Sequence, residues 1–285
     1  MTISSAPSNL DATTPSSWSS DHRVTGPSRR HDSASIRPAI RSEWIKVTSL
    51  RSNVAILALT PVIGFLLSWI LATFVKIDPD TNLPFNVGET FIFSTWLTTV
   101  LATIVGALMF TSEVQHGTIA NAVAAQPTRW VIVAAKTAIA AGFGLAMGIL
   151  GMIGGLSGAI LGGLERGDTS GMEATALWGL LLTTLAPLLG LGVGLILRHS
   201  AATVSILLVW AFVLENLVRT LVPASAARLM PFSAASGMLN IQQATDTAET
   251  LAAALSRTQD ALLFGGYVVA ALTLGTILFS RRDAN

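Results

Sequence analysis

Six stretches of about 20 or more predominantly apolar residues occur along the chain, separated by shorter polar segments. A helix needs about 20 such residues to cross the hydrocarbon core of a bilayer. The stretches are too long and too uniformly apolar for helices of a soluble domain. The pattern therefore predicts an all-α integral membrane protein with six transmembrane helices. The predicted spans are residues 54–74, 91–111, 131–164, 174–197, 200–222 and 261–280.

The third span is longer than a bilayer requires. As a helix it would measure roughly 50 Å, so its first turns are expected in the membrane interface, with Lys136 extending to the lipid headgroups. Farther along, glycines spaced four residues apart predict close helix packing within the bundle. These glycines include Gly148, Gly151, Gly155 and Gly158. Pro61 and Pro187 predict kinks in the first and fourth spans.

Two segments precede the first span. Residues 1–38 are rich in Ser, Thr and Pro and nearly free of aliphatic side chains, which predicts a disordered tail. Residues 39–53 predict an amphipathic interfacial helix, in which Ile40, Trp44 and Val47 share a face. Trp44, Lys46 and Arg51 are its candidate interfacial residues, although the helix also fits a simple topology anchor. Residues 54–285 form the predicted transmembrane domain.

The distribution of basic residues predicts the orientation. With both termini in the cytoplasm, nine Lys and Arg side chains flank the spans on the cytoplasmic side and five lie outside, as the positive-inside rule requires. The cytoplasmic set is Arg37, Arg41, Lys46, Arg51, Arg129, Lys136, Arg198, Arg281 and Arg282, and the outer set is Lys76, Arg166, Arg219, Arg228 and Arg257.

A polar segment, TSEVQHGTIANAVAAQPTRW, separates the second and third spans at residues 111–130. Gly117 is expected to end one helix, and Thr118 to cap a short helix that stops before Pro127. Thr128 would then cap the third span. Ile119, Ala122 and Val123 share a face of the short helix that would fit a cleft on a partner. A connector lying flat on the membrane is the alternative.

Composition narrows the classes of function. Hydrophobic residues make up 51% of the chain and charged residues 12%, and cysteine is absent. No charged residue lies near the middle of a predicted span, which argues against a proton-driven carrier. The sequence has no G-x-x-x-x-G-K-[ST] phosphate-binding loop, no candidate catalytic residue and no metal site. We therefore expect no enzyme activity and no nucleic-acid partner, and any energy for transport would come from another chain.

The stretch SEVQHGTIANAVAAQPTRWVIVAAK resembles the loop between the second and third helices of ABC-2 family permeases. The residues that carry this resemblance are Glu113, Gly117, Thr118, Pro127, Arg129 and Lys136. SEWIKVTSLRS is similar to the helix that precedes the first span in that family, and FSRRDAN to its usual ending. The resemblance extends over residues 40–285, in order, and departs from the family at Gln115 and His116.

The resemblance implies a permease subunit of an ATP-binding cassette transporter, usually an exporter in the plasma membrane. The implied partners are an ATP-binding subunit, which carries ATP and magnesium, and a second permease subunit that is identical or related. The short helix would be the coupling helix. Its coupling residues would be Glu113, Gly117, Thr118, Ile119, Ala122, Val123, Pro127 and Arg129.

The largest outer segment runs from Glu215 to Asp260. Glu215 and Arg219 are four residues apart and can pair on a helix, and Asn216 and Arg219 are candidates for an outer gate that touches substrate; a purely structural role is the alternative. Spans without central charges favour hydrophobic or amphipathic cargo. The competing functions are a non-transporting immunity or sensor protein in the membrane and an ion-coupled secondary carrier.

Overall fold

The computed structural model describes residues 36–49, 51–75, 86–165, 171–241, 248 and 252–281. Within these ranges the regular elements are helices and no strand occurs. Six helices are long and apolar enough to cross a membrane, which confirms the predicted all-α fold with six spans. They are Asn53–Val75, Val87–Gln115, Arg129–Leu161, Met172–Leu197, Ser200–Leu221 and Arg257–Arg281.

The first helix, α1, runs from Ile36 to Ser49, and α2 follows from Arg51 to Ile70. The amphipathic helix therefore starts three residues earlier than predicted, and the first span begins almost directly after it. Most of the predicted disordered tail lies outside the described residues. A π-helical segment, Leu71–Val75, extends α2.

The next helices are α3 (Val87–Gln115), the short α4 (Ile119–Ala125), α5 (Arg129–Leu161) and α6 (Met172–Leu197). Asn86 and Glu89 form a capping box at the start of α3, in which each side chain accepts a hydrogen bond from the other residue's backbone N–H. This cap explains why α3 begins four residues before the predicted apolar window.

The fifth span consists of α7 (Ser200–Val209), a π-helical segment (Trp210–Leu214) and α8 (Glu215–Leu221). Two short helices follow, α9 (Ala224–Ala227) and α10 (Pro231–Met238), and α11 (Arg257–Arg281) forms the last span. Neither π-helical segment is predicted by the hydrophobic pattern, because a π turn changes the backbone hydrogen bonding without changing the composition.

Three helices form the centre of the bundle. Within their most apolar windows, 61% of α3, 56% of α5 and 61% of α6 is buried, compared with 17% for the first span and 22% for the fifth and last. Pro187 of α6 lies in this centre, where its main chain approaches Gly106 and its ring approaches Gly144. The three outer helices therefore present most of their apolar surface to the surroundings, as expected of helices in lipid.

The four glycines predicted to pack helices line α5 where three neighbours approach it. A Cβ atom at Gly158 would lie 2.2 Å from the Phe65 carbonyl oxygen of α2. At Gly151 and Gly155 it would lie 2.3 Å from Thr98 Oγ1 and 2.5 Å from Ser94 Oγ of α3. At Gly148 it would lie 2.1 Å from Thr183 Oγ1 of α6. Larger side chains would prevent these contacts at the present helix separations.

Candidate functional site

Four charged side chains from three helices meet at one end of the bundle, beside the polar segment. Lys136 Nζ of α5 lies 2.8 Å from Glu43 Oε2 of α1 and 2.7 Å from Glu113 Oε1 of α3. Lys46 Nζ of α1 lies 2.6 Å from Glu43 Oε1 and 3.2 Å from Glu113 Oε1. We call these four residues the charge cluster. It contains two carboxylates and two ammonium groups, so its formal charge is zero.

Lys136 is the buried centre of the charge cluster. Its side chain is 2% exposed, and besides the two carboxylates it donates a hydrogen bond of 3.4 Å to the Met109 carbonyl oxygen. This corrects the prediction that Lys136 extends to the lipid headgroups. A buried ammonium group is tolerable when charged partners satisfy it, and here Glu43 and Glu113 supply them.

The face that α1 turns toward the bundle combines an acidic and an apolar side chain. Glu43 and Val47 are its buried residues, whereas the Trp44 residue is 58% exposed. Ile40 and Val47 pack against α3, α5 and α6 through a shared apolar cluster. Glu43 is buried on the side of α1 that meets the bundle, where it pairs with Lys136, and the interfacial role of Trp44 stays a prediction. Arg51 is exposed and starts α2.

The charge cluster shifts the pKa values of its two α1 residues. Burial raises the pKa of Glu43, but attraction and hydrogen bonding to Lys136 and Lys46 outweigh burial, so the net pKa is lowered. Burial lowers the pKa of Lys46, but Glu43 and Glu113 outweigh it, so the net pKa is raised. Both shifts favour the charged forms of these two residues.

Strong acid is therefore expected to weaken the attachment of α1, while neutral pH leaves it intact. Because the pKa of Glu43 is lowered, its charge stabilises the attachment of α1 fully above the ordinary pKa of about 4.3. This stabilisation is lost as pH falls through the lowered value. Because the pKa of Lys46 is raised, its charge stabilises the attachment of α1 fully below the ordinary lysine pKa of about 10.4. This stabilisation is lost as pH rises through the raised value. Distances between spin labels on α1 and α4, measured across this range, test the prediction. A transition between about pH 6 and pH 8 would contradict it.

The two carboxylate oxygens of Glu113 differ in their hydrogen bonding. Glu113 Oε1 accepts from both ammonium groups, whereas the buried Glu113 Oε2 has no hydrogen-bond partner among the described residues. Buried carboxylate oxygens normally have at least one partner. One acceptor of the cluster is thus unused in this arrangement.

Two cavities flank α1 at the charge cluster. One of about 470 Å³ lies between α1 and α4 and is bordered by residues such as Ala39 and Asn121. Another of about 450 Å³ lies between α1 and the α3–α5 pair and is bordered by residues such as Asn53 and Ile139. Both reach Glu43, Lys46 and Glu113. Much of the space beside α1 is therefore open, and the charges form a large part of its attachment.

The polar segment forms the helix, break and short helix that the sequence predicts, but its capping differs. Gly117 has φ +69°, so a left-handed residue follows α3, and Gln126 is extended (φ −133°, ψ 95°). Thr118 has a helical backbone and donates its hydroxyl to the Glu113 carbonyl oxygen at 3.3 Å, so it does not cap α4. Thr128 precedes α5 with extended backbone but makes no side-chain cap hydrogen bond within the described chain.

The apolar face of α4 packs against this chain itself. Ile119 is 2% exposed, and Ala122 and Val123 lie against the same core cluster as Phe110 and Phe279. This corrects the expectation for Ile119, which the bundle covers and which is therefore not available to a partner, whereas Ala122 and Val123 are half-buried. The exposed side of the polar segment contains no Asp, Glu, Lys or Arg and consists of Gln115, His116, Gly117, Thr118, Ala120, Asn121, Ala124, Ala125, Pro127 and Trp130.

Arg129 joins the polar segment to the last span. Its Nη1 donates to the carbonyl oxygens of Phe279 at 2.7 Å and Ser280 at 3.2 Å, near the C-terminus of α11. The guanidinium also lies 5.6 Å from the centre of the Phe279 ring, and that ring packs edge-on against Phe110 of α3. The side chain of Arg129 is thus engaged within the chain rather than directed toward a partner.

The candidate outer gate is a hydrogen-bonded anchor at the opposite end of the bundle. Glu215 accepts from Trp210 Nε1 at 3.2 Å, from the Phe232 N–H at 2.7 Å and from Ser233 Oγ at 3.0 Å. Arg219 donates to the same Ser233 hydroxyl at 2.9 Å. Asn216 is exposed and donates to the carbonyl oxygen of Phe212 within its own helix. Glu215 and Arg219 therefore fasten the start of α10 to the fifth span.

The structure brings Glu113 and Lys46 of the predicted site residues together and separates them from Arg129 and from the Glu215 group. Sequence reasoning assigned no site role to Glu43. The available signal was its position between Ile40 and Val47 on one helical face.

Among the described residues, no group of three or more His, Asp or Glu side chains is arranged to hold a metal ion. No protein-family model and no curated protein matches the chain.

Proposed function

We propose that the chain is the membrane-spanning permease subunit of an ATP-binding cassette transporter in the plasma membrane, with both termini cytoplasmic. A separate ATP-binding subunit supplies ATP, magnesium and hydrolysis, and a second permease subunit, identical or related, completes the pathway. The permease exports hydrophobic or amphipathic compounds. Six apolar spans support the membrane role, and the resemblance of residues 40–285 to ABC-2 permeases supports the class.

One observation carries this proposal: the polar segment has an exposed outer side without Asp, Glu, Lys or Arg and is fastened to the bundle at both ends. At its first end, Glu113 binds Lys136 of α5. At its second end, Arg129 binds the last turn of α11. A force applied to α4 from the aqueous side would therefore reach α3, α5 and α11 through the short connections at Gly117 and Pro127. Such a connection suits a subunit that receives work from an ATPase.

Purification in mild detergent tests the partner. The tagged chain, purified from its own host, is expected to retain an ATP-binding cassette protein and to show ATP hydrolysis in proteoliposomes. Stimulation of hydrolysis by hydrophobic or amphipathic compounds supports the substrate class, and stimulation only by small hydrophilic solutes contradicts it. Transport driven by an ion gradient without any ATP-binding protein would favour the secondary carrier instead.

A charged side chain on the exposed side of α4 is expected to remove the partner without unfolding the bundle. Ala124→Arg places a guanidinium in the middle of the proposed contact surface, where its desolvation disfavours binding by more than the 1.4 kcal/mol of a tenfold change. We expect the amount of co-purified ATPase to fall at least about tenfold.

The matched control for this substitution is Ala201→Arg. Ala201 is exposed and lies at the same end of the bundle, next to Ser200, whose hydroxyl donates to Thr111 Oγ1 at 2.9 Å. The control is expected to keep its ATPase. Equal retention by both variants would remove α4 as the contact.

A further inference from the structure

The helix α1 is held on the bundle by the charge cluster together with the apolar contacts of Ile40 and Val47. Its buried residues are Glu43 and Val47, and cavities of about 470 Å³ and about 450 Å³ border it at the charge cluster. A helix fastened by continuous apolar packing leaves few voids larger than a water molecule. The attachment of α1 therefore depends strongly on how the four charges are paired.

The charge cluster divides into two neutral pairs along the boundary between α1 and the bundle. Glu43 and Lys46 are both on α1 and lie 2.6 Å apart, one helical turn from each other. Glu113 and Lys136 are both in the bundle and lie 2.7 Å apart. If α1 moves away, each side keeps its own ion pair. Separation therefore avoids an unpaired buried charge, which is the most costly result of breaking a buried ion pair.

The unused acceptor of Glu113 compensates part of the separation. With α1 attached, Lys136 directs its three donors to Glu43, Glu113 Oε1 and the Met109 carbonyl oxygen. Glu113 Oε2 is left buried without a partner among the described residues. When α1 leaves, the donor that served Glu43 becomes available for Oε2. The bundle thus gains one hydrogen bond as it loses another, and both arrangements satisfy Lys136.

We propose that α1 is a detachable latch, which is docked on the α3–α5 pair through the charge cluster and is released when α4 is displaced. Glu113 connects the two events, because it holds both ammonium groups and lies just before the break that leads to α4. The docked latch covers the charged side of the α3–α5 pair, and release of α1 uncovers that side while Glu113 and Lys136 stay paired. This role of α4 rests on the proposed function, whereas the docking of α1 does not.

The absence of cysteine from the chain makes the latch measurable. Cysteines introduced at the exposed positions Arg41 and Ala124 carry spin labels on α1 and α4, and pulsed electron paramagnetic resonance in nanodiscs gives the distance between them. The exchange variant E43K/K46E keeps the net charge and the ion pair within α1. It sets each of the two charges opposite a like charge in the bundle, at Lys136 and Glu113.

We expect a single short distance in the starting protein and, in E43K/K46E, a distribution that is longer by at least about one helical turn, 5 Å. The quadruple variant E43K/K46E/E113K/K136E restores the alternation of charge and is expected to restore the short distance. R37E changes the charge of α1 outside the cluster and is expected to leave the distance unchanged. An unchanged distance in E43K/K46E overturns the docking by charge. If E113K/K136E prevents the quadruple variant from folding, the comparison of E43K/K46E with R37E still tests docking by charge, because both variants alter only α1.

The coupled motion has a separate test, in which the spin labels are placed at Arg41 and at the exposed Ala201, outside the proposed ATPase contact, and the distance is also measured in E43K/K46E. Trapping the complex with its ATPase in ATP and vanadate is expected to lengthen the distance as E43K/K46E does, and an unchanged distance overturns release by α4. A chain that retains no ATPase in mild detergent contradicts the proposed function instead. That outcome leaves the nanodisc comparison of the charge variants as it stands, so the two failures are distinguishable.

Discussion

Replacement of Lys136 by methionine is expected to lower the free energy of unfolding by about 3–5 kcal/mol, the usual effect of removing one partner from a buried ion pair. Methionine matches the length and volume of the lysine stem, so little packing is lost. The substitution leaves Lys46 as the one remaining cationic partner of Glu43 and Glu113 in the cluster. The side chain of Lys46 is 37% exposed, so it replaces the buried Lys136 only in part. Thermal or denaturant unfolding of the detergent-solubilised protein measures the change.

The control for this prediction removes a carboxylate together with the ammonium group. K136M/E113Q leaves the Glu43–Lys46 pair, which is neutral by itself, and is expected to recover most of the lost stability. A double variant as unstable as K136M would show that the lysine stem, rather than its charge, is what the fold requires. R41M removes an exposed cation from α1 and is expected to change stability by less than about 0.5 kcal/mol.

The six spans were predictable because each is formed by one continuous stretch of sequence. A run of about 20 apolar residues is sufficient evidence for a membrane helix whatever its neighbours are. Gly117 and Pro127 are equally local, since a left-handed turn and the restriction before proline act on adjacent residues. These features placed the breaks around α4 before any tertiary contact was known.

The charge cluster was not predictable in the same way. Glu43 and Lys136 are separated by 93 positions and Glu113 and Lys136 by 23, so only the packing of three helices brings them together. Considered singly, Lys136 near a span end suggests contact with lipid headgroups, and Glu43 interrupts an amphipathic pattern. The buried Lys136 explains the acid on the side of α1 that meets the bundle, and Glu43 explains how the lysine can be buried. A lysine within a predicted span and an acid on the apolar face of a neighbouring helix are best considered as partners.

The face of α4 shows a different limit of the sequence. Ile119, Ala122 and Val123 recur at helical spacing, which predicts burial but not the identity of the covering surface. The structure buries Ile119 in this chain's own core and packs the half-buried Ala122 and Val123 against the same core. The partner surface proposed for α4 is consequently its other side, where Ala120, Asn121 and Ala124 are exposed.

Replacement of Gly158 by alanine is expected to lower the free energy of unfolding by about 1–3 kcal/mol, the usual range for overpacking. The added Cβ would lie 2.2 Å from the Phe65 carbonyl oxygen and 2.9 Å from its carbonyl carbon. Both atoms belong to the backbone of α2, so no side-chain rotation can relieve the contact. α2 must move away from α5, and because the first span is 17% buried it has few other contacts with which to compensate. Unfolding of the detergent-solubilised protein by SDS measures the effect.

Gly142→Ala is the matched control, in the same helix and with the same chemical change. No atom lies within 4 Å of a Cβ built at Gly142, and alanine favours a helix interior over glycine by up to about 1 kcal/mol. Its stability is therefore expected to equal or exceed that of the starting protein. Two variants of equal stability would mean that α2 is not held by close backbone contact at Gly158. Destabilisation confined to Gly158→Ala would show that the glycines of α5 set the distance between these helices.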